Sequence, residues 1–90
     1  MKMVEKPIRA VAIFEYEDVN KPPMPYKFKM KEDSGEEITV VVDKFLATSR
    51  RRIAGEECII YQCQSMIRDT ERKYELKYDI SKCSWQLYKI

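Results

Sequence analysis

The sequence predicts a mainly β domain of about six antiparallel strands, a meander that forms a small barrel or a strongly twisted sheet. Three observations carry this expectation. Apolar residues recur at every second position through most of the chain, the period that points side chains to one face of a strand. The runs that show it are rich in Val, Ile, Tyr and Phe, which fit a pleated surface. Short turn-forming stretches of hairpin length separate them.

Taken in order, Ile8 to Tyr16 is apolar on both parities for part of its length and reads as a central strand. The segment Asn20-Lys21-Pro22-Pro23-Met24-Pro25 cannot donate hydrogen bonds at its prolines and reads as a stiff extended link. Pro25 to Lys31 puts Tyr26, Phe28 and Met30 on a core face and Lys27, Lys29 and Lys31 on a wet one. Glu32 to Glu36 is a turn in which Gly35 supplies positive φ, and Glu37 to Leu46 reads as a second central strand.

Asp43 to Gly55 supports two readings. The favoured one continues the strand from Val40-Val41-Val42 and ends it in a loop. The alternative is a short helix near 44–54, with Asp43 as N-cap, Gly55 as stop, and Arg50-Arg51-Arg52 beside the negative helix end. Cys58 to Ile67 then carries Ile59, Tyr61, Cys63 and Ile67 on one parity and Gln62 and Gln64 on the other. Lys73 to Ile80 sets Tyr74, Leu76, Tyr78 and Ile80 against Lys73, Glu75, Lys77 and Asp79. Arg68-Asp69-Thr70 and Ser81-Lys82 are the turns around it. In the last strand, Ser84 to Ile90, Trp85 and Leu87 share a parity, which predicts Trp85 as a central core residue and Tyr88 as the aromatic most exposed to solvent.

Ninety residues fit a single domain over 1–90, and an apolar fraction of 44% is enough for a core, so the 36% of charged residues reads as solvated surface and not as disorder. Met1 to Pro7 contains charges where a signal peptide needs an apolar run, and no stretch approaches the roughly 20 apolar residues of a membrane span. Cys58, Cys63 and Cys83 lack CxxC spacing and read as reduced, buried thiols; together these features predict a cytoplasmic protein with no membrane contact.

The chain has no histidine, which removes the commonest general base near neutral pH and every Ser-His or Cys-His nucleophile arrangement. The usual zinc patterns cannot be assembled from the three cysteines alone, so neither metal nor cofactor is expected. Glu36-Glu37 and Glu56-Glu57 flank glycines in turns and read as solubilising charge, and the isolated Gly35 and Gly55 make no phosphate-cradling loop. Enzymatic activity is not expected.

What remains is basic and aromatic. Net charge is only +2, with the first 45 residues at −1 and the rest at +3, too small an excess to indicate polyanion binding by bulk charge. Lys27, Lys29 and Lys31 nevertheless form a row with a spacing of about 6.6 Å, able to track a phosphate backbone. Arg50, Arg51 and Arg52, and the group Arg68, Arg72 and Lys73, are candidates to extend it. The plainer alternative is that a half-buried strand turns polar residues outward and that edge lysines discourage unwanted pairing. Tyr26, Phe28, Tyr74, Tyr78, Trp85 and Tyr88 would stack bases only if exposed, and core packing is the simpler expectation. The reading is a non-enzymatic module that binds a protein partner or a second copy of itself, with nucleic-acid binding through a basic strand face as the alternative.

Tyr61-Gln62-Cys63-Gln64-Ser65, together with the runs Arg72 to Tyr78 and Trp85 to Ile90, resembles a group of short proteins of Gram-positive, clostridia-like bacteria. The resemblance spans most of the chain from about Pro7. That group has no assigned activity, so the resemblance implies a free-standing bacterial domain and transfers no functional residue.

Overall fold

Pairing turns the alternating runs into eight antiparallel strands: β1 (Met3–Pro7), β2 (Arg9–Ile13), β3 (Met24–Lys31), β4 (Glu37–Val41), β5 (Lys44–Ile53), β6 (Glu56–Ile67), β7 (Thr70–Asp79) and β8 (Ser84–Lys89). The computed structural model describes residues 1–15, 17 and 21–90. The expected strand end at Tyr16 and the expected start of the proline link at Asn20 lie outside the described residues. The strands form a five-stranded sheet in the order β1-β8-β7-β6-β5 and a three-stranded sheet in the order β2-β3-β4.

The expectation of about six strands in one curled meander is therefore corrected, among the described residues, to eight strands in two sheets with no closed barrel. The reason lies at two bends. Ile8 alone separates β1 from β2, and it still donates to Trp85 O at 3.3 Å. At the other bend, Val42 N donates to Tyr26 O in the three-stranded sheet at 3.0 Å, while the next residue, Asp43, donates to Gln64 O in the five-stranded sheet at 3.1 Å. One apolar run, Glu37 to Leu46, thus feeds both sheets.

Neither the short helix near 44–54 nor the loop forms; that stretch is the edge strand β5. Ala54 (φ 52°) and Gly55 (φ 81°) occupy the two central positions of a tight β5–β6 hairpin, where both residues must adopt positive φ. Asp43 caps no helix: its Oδ2 accepts from Met66 N at 3.0 Å on β6.

The core lies between the sheets. Ile59, Tyr61, Cys63, Ile67, Tyr74, Leu76, Tyr78 and Leu87 of the five-stranded sheet meet Phe28, Met30, Val40 and Val42. Phe28 contacts Tyr74 edge-on at 5.6 Å between ring centroids, joining the sheets. Each such side chain contributes about 1.5–3 kcal/mol by leaving water. The buried hydroxyls are satisfied: Tyr61 Oη donates to Pro23 O, and Tyr74 Oη lies 2.5 Å from Ser65 Oγ.

Four side chains differ from the expected burial, two of them because a register shift moves them to the other face. The register between β2 and β3 shifts at Val11/Ala12, so Pro25 is buried and Tyr26, expected in the core, is 52% exposed. A second shift, at Glu75/Leu76, leaves Tyr88 as the extra residue of β8. Tyr88, expected in solvent, is buried with Cys58 and Ile60 on the outer face of the five-stranded sheet. Trp85 is half-buried at the core margin, against Tyr78 at 4.7 Å and Tyr61 at 5.3 Å, and is not the central core residue expected. Glu75, expected on a wet face, is buried and accepts from Gln62 Nε2 at 3.3 Å.

Among the described residues no helix forms, and none is therefore long and apolar enough to cross a membrane.

Candidate functional site

β3 is the middle strand of the three-stranded sheet, so its outward side chains are flanked on both sides. Alternation sends Phe28 and Met30 inward and leaves Lys27, Lys29 and Lys31 exposed on the outer face. Register then decides their neighbours. Lys27 stands between Val11 of β2 and Val41 of β4, Lys29 between Arg9 and Thr39, and Lys31 opposite Glu37.

Arg9 is the residue that sequence reasoning missed. It continues the basic row sideways and lies directly across from Lys29. Two like charges facing each other on neighbouring strands cost about 0.2–1 kcal/mol. Among the described residues, none of Arg9, Lys27, Lys29 and Lys31 makes an ion pair. Three of these cations, Arg9, Lys27 and Lys29, border a shallow depression of about 240 Å³ that Ala10, Val11, Phe28 and Thr39 also line. The outward alternation of Arg9, Val11 and Ile13 was the available signal, but it names a neighbour for Lys29 only once the register is known.

Apolar side chains share this face. Val11, Ile13, Tyr26 and Val41 are 51%, 53%, 52% and 46% exposed, and Val11 and Val41 flank Lys27 in register. Aliphatic groups and cations without an ion pair are thus interleaved on this face.

The other basic candidates do not join this surface. Arg50, Arg51 and Arg52 lie on β5, in the other sheet. Alternation splits them: Arg50 and Arg52 share one side and reach Glu57 at 3.8 and 3.7 Å, while Arg51 lies opposite Cys58. Arg68, in the β6–β7 turn, is held by Glu32 at 2.7 Å and Glu36 at 3.3 Å, which raise its pKa. Arg72 and Lys73 are on opposite faces of β7. The acidic pairs are largely occupied in turn, with Glu36 on Arg68, Glu57 on Arg50 and Arg52, and Glu56 reaching Lys82 at 3.8 Å.

The thiols differ from the expectation in one respect: Cys58 and Cys63 are buried, but Cys83 is exposed. Burial pushes the Cys63 thiol up to about 12 and also raises that of Cys58, where Lys77 and Arg51 pull in the opposite direction. Both are protonated near neutral pH, the state of a packing group and not of a nucleophile. Among the described residues no three Cys, Asp or Glu side chains converge to hold a metal ion.

Compared with models of protein families, with curated proteins and with solved structures, the chain matches none of them.

Proposed function

We propose that this chain is a non-enzymatic binding module that recognises an acidic, partly apolar segment of a protein partner across the outer face of the three-stranded sheet. The observation that carries this reading is the Arg9–Lys29 pair, two cations in direct cross-strand register with no carboxylate among the described residues. Its repulsion is relieved when an anion binds between them. The exposed Val11, Ile13 and Val41 choose between anions. Aliphatic side chains do not stack on bases, whereas a peptide bearing both carboxylates and apolar groups desolvates them as it neutralises the row.

Nucleic-acid binding is the second reading, favoured by the same row and by the exposed Tyr26 ring beside it. Two copies cannot meet face to face here, because like rows would oppose each other. Self-association would instead use the free edge of the ten-residue β5.

Fluorescence anisotropy at low salt separates these readings, using a labelled peptide that alternates Asp or Glu with Leu or Val and single-stranded and duplex oligonucleotides of matched charge. Saturable peptide binding that exceeds oligonucleotide binding is expected. Tighter oligonucleotide binding with a steep salt dependence would transfer the function to the second reading, and no binding of any probe would remove both.

A further inference from the structure

A second surface, separate from that face, has the makings of a small-molecule site. Val4, Met30, Ile67, Leu87 and Ile90 wall a cleft of about 400 Å³, within the roughly 300–1,000 Å³ range of ligand pockets. Three cations stand at its rim: Lys6, Arg68 and Arg72.

Their charges are unequally committed. Arg68 is bound to Glu32 and Glu36, so the one carboxylate lining the cleft, Glu32, is already neutralised at 2.7 Å. Lys6 donates to Lys31 O at 2.9 Å and approaches Asp33 at 3.8 Å. Arg72 is different. It lies opposite Ser65, on the same side of the sheet as the buried Tyr74, and so it projects from the inner face toward the cleft. It makes no ion pair among the described residues. An inward-facing arginine above apolar walls, with one uncompensated positive charge, is complementary to one negative charge attached to an apolar body. Its planar fork matches a carboxylate bidentately.

We infer that this cleft binds a small amphiphilic monocarboxylate, with its headgroup on Arg72 and its apolar chain against Met30, Ile67 and Leu87. The occupant has an aliphatic tail, because the walls are aliphatic and thioether side chains with no aromatic face.

The test is methyl-detected NMR titration of the intact chain with sodium decanoate, kept below its micellar concentration, with decylammonium and decanol as controls. Decanoate should shift the methyls of Val4, Ile67, Leu87 and Ile90 saturably and leave those of Val11 and Val41 unmoved. Arg72→Ala should weaken binding about tenfold or more, the loss of one charge-assisted pair, and Arg72→Lys should restore part of it. Arg72 is exposed, so the variant's own spectrum reports an intact fold. Absence of a saturable shift, equal affinity in Arg72→Ala, or decanol or decylammonium binding as tightly as decanoate would each overturn the assignment.

Discussion

The outer faces of the two sheets are built from similar side chains and end in opposite states. On the five-stranded sheet, Cys58, Ile60 and Tyr88 are 2%, 1% and 6% exposed, because Ile53 packs beside them and Lys77 and Lys89 lay their ammonium groups 5.3 and 5.4 Å from the Tyr88 ring centre. On the three-stranded sheet, Val11, Tyr26 and Val41 stand beside Lys27, yet all three remain about half exposed. Lysine stems can cover apolar groups, as the first face shows. What differs is charge: Lys77 and Lys89 lie over a ring that attracts cations, whereas Arg9 and Lys29 oppose each other. Around Tyr88 the first face is covered by its own residues, whereas Val11, Tyr26 and Val41 on the second are left about half exposed.

The largest expected effect tests that distinction by truncation. Ile60→Ala removes a side chain that is 1% exposed and should cost about 2–5 kcal/mol, although Ile60 lies outside the main core. Val41→Ala, at 46% exposure on the open face, should change stability by no more than about 0.5 kcal/mol. Urea denaturation of the two variants gives both numbers. Similar losses at the two positions would show that the faces are equally closed.

An effect confined to alkaline pH separates the inner face from the outer face of the same sheet. Burial pushes the folded Cys63 thiol up to about 12 from an ordinary 9.0, so above pH 9 the unfolded chain releases a proton that the folded chain keeps. Its contribution is intact below pH 9 and is lost progressively between pH 9 and 12, at roughly 1.4 kcal/mol per pH unit. Buried Tyr61 and Tyr74, whose hydroxyls are also raised, add to the alkaline loss. Plotted as unfolding free energy against pH, Cys63→Ala should be shallower than the parent over that window. Cys58→Ala should flatten the curve less, because Lys77 and Arg51 oppose the desolvation that, with a lesser push from Asp79, raises its pKa. An equal flattening would mean that the two thiols sit in equivalent surroundings.

Period-2 alternation was enough to read the strand class and the outward lysines of β3, because both depend only on neighbours in sequence. Three features were not legible for the same reason. A positive-φ glycine ends a helix or turns a hairpin equally well, so Gly55 could not choose between a helix over 44–54 and the strand β5. Tyr88 and Tyr26 changed faces through register shifts, which are properties of paired strands and leave no mark in either strand alone. Arg9 entered the candidate site by pairing across the sheet, a contact 20 residues away in sequence. The Arg50–Arg52 run, a candidate to extend the lysine row, lies in the other sheet, and adjacency in a strand separates its side chains to opposite faces.

The smallest stability effect is the most informative about the open face, because its sign is the opposite of what loss of function usually brings. Lys29→Glu exchanges a like-charge pair with Arg9 for an opposite-charge pair at the same register. Stability should rise by a few tenths to about 1 kcal/mol, less at high salt, since both groups are exposed. Binding of the acidic peptide should fall in the same variant, because one cation is lost and the other is satisfied internally. A surface row that is only the solvated face of the sheet would predict the gain in stability without any loss of binding. A recognition face predicts both together, the pattern of a site held away from its stability optimum by what it must bind. Thermal melts of the parent and Lys29→Glu at two salt concentrations, alongside the anisotropy titration, measure the two effects on the same samples. A variant that is destabilised, or that binds the peptide as tightly as the parent, would place the anion elsewhere.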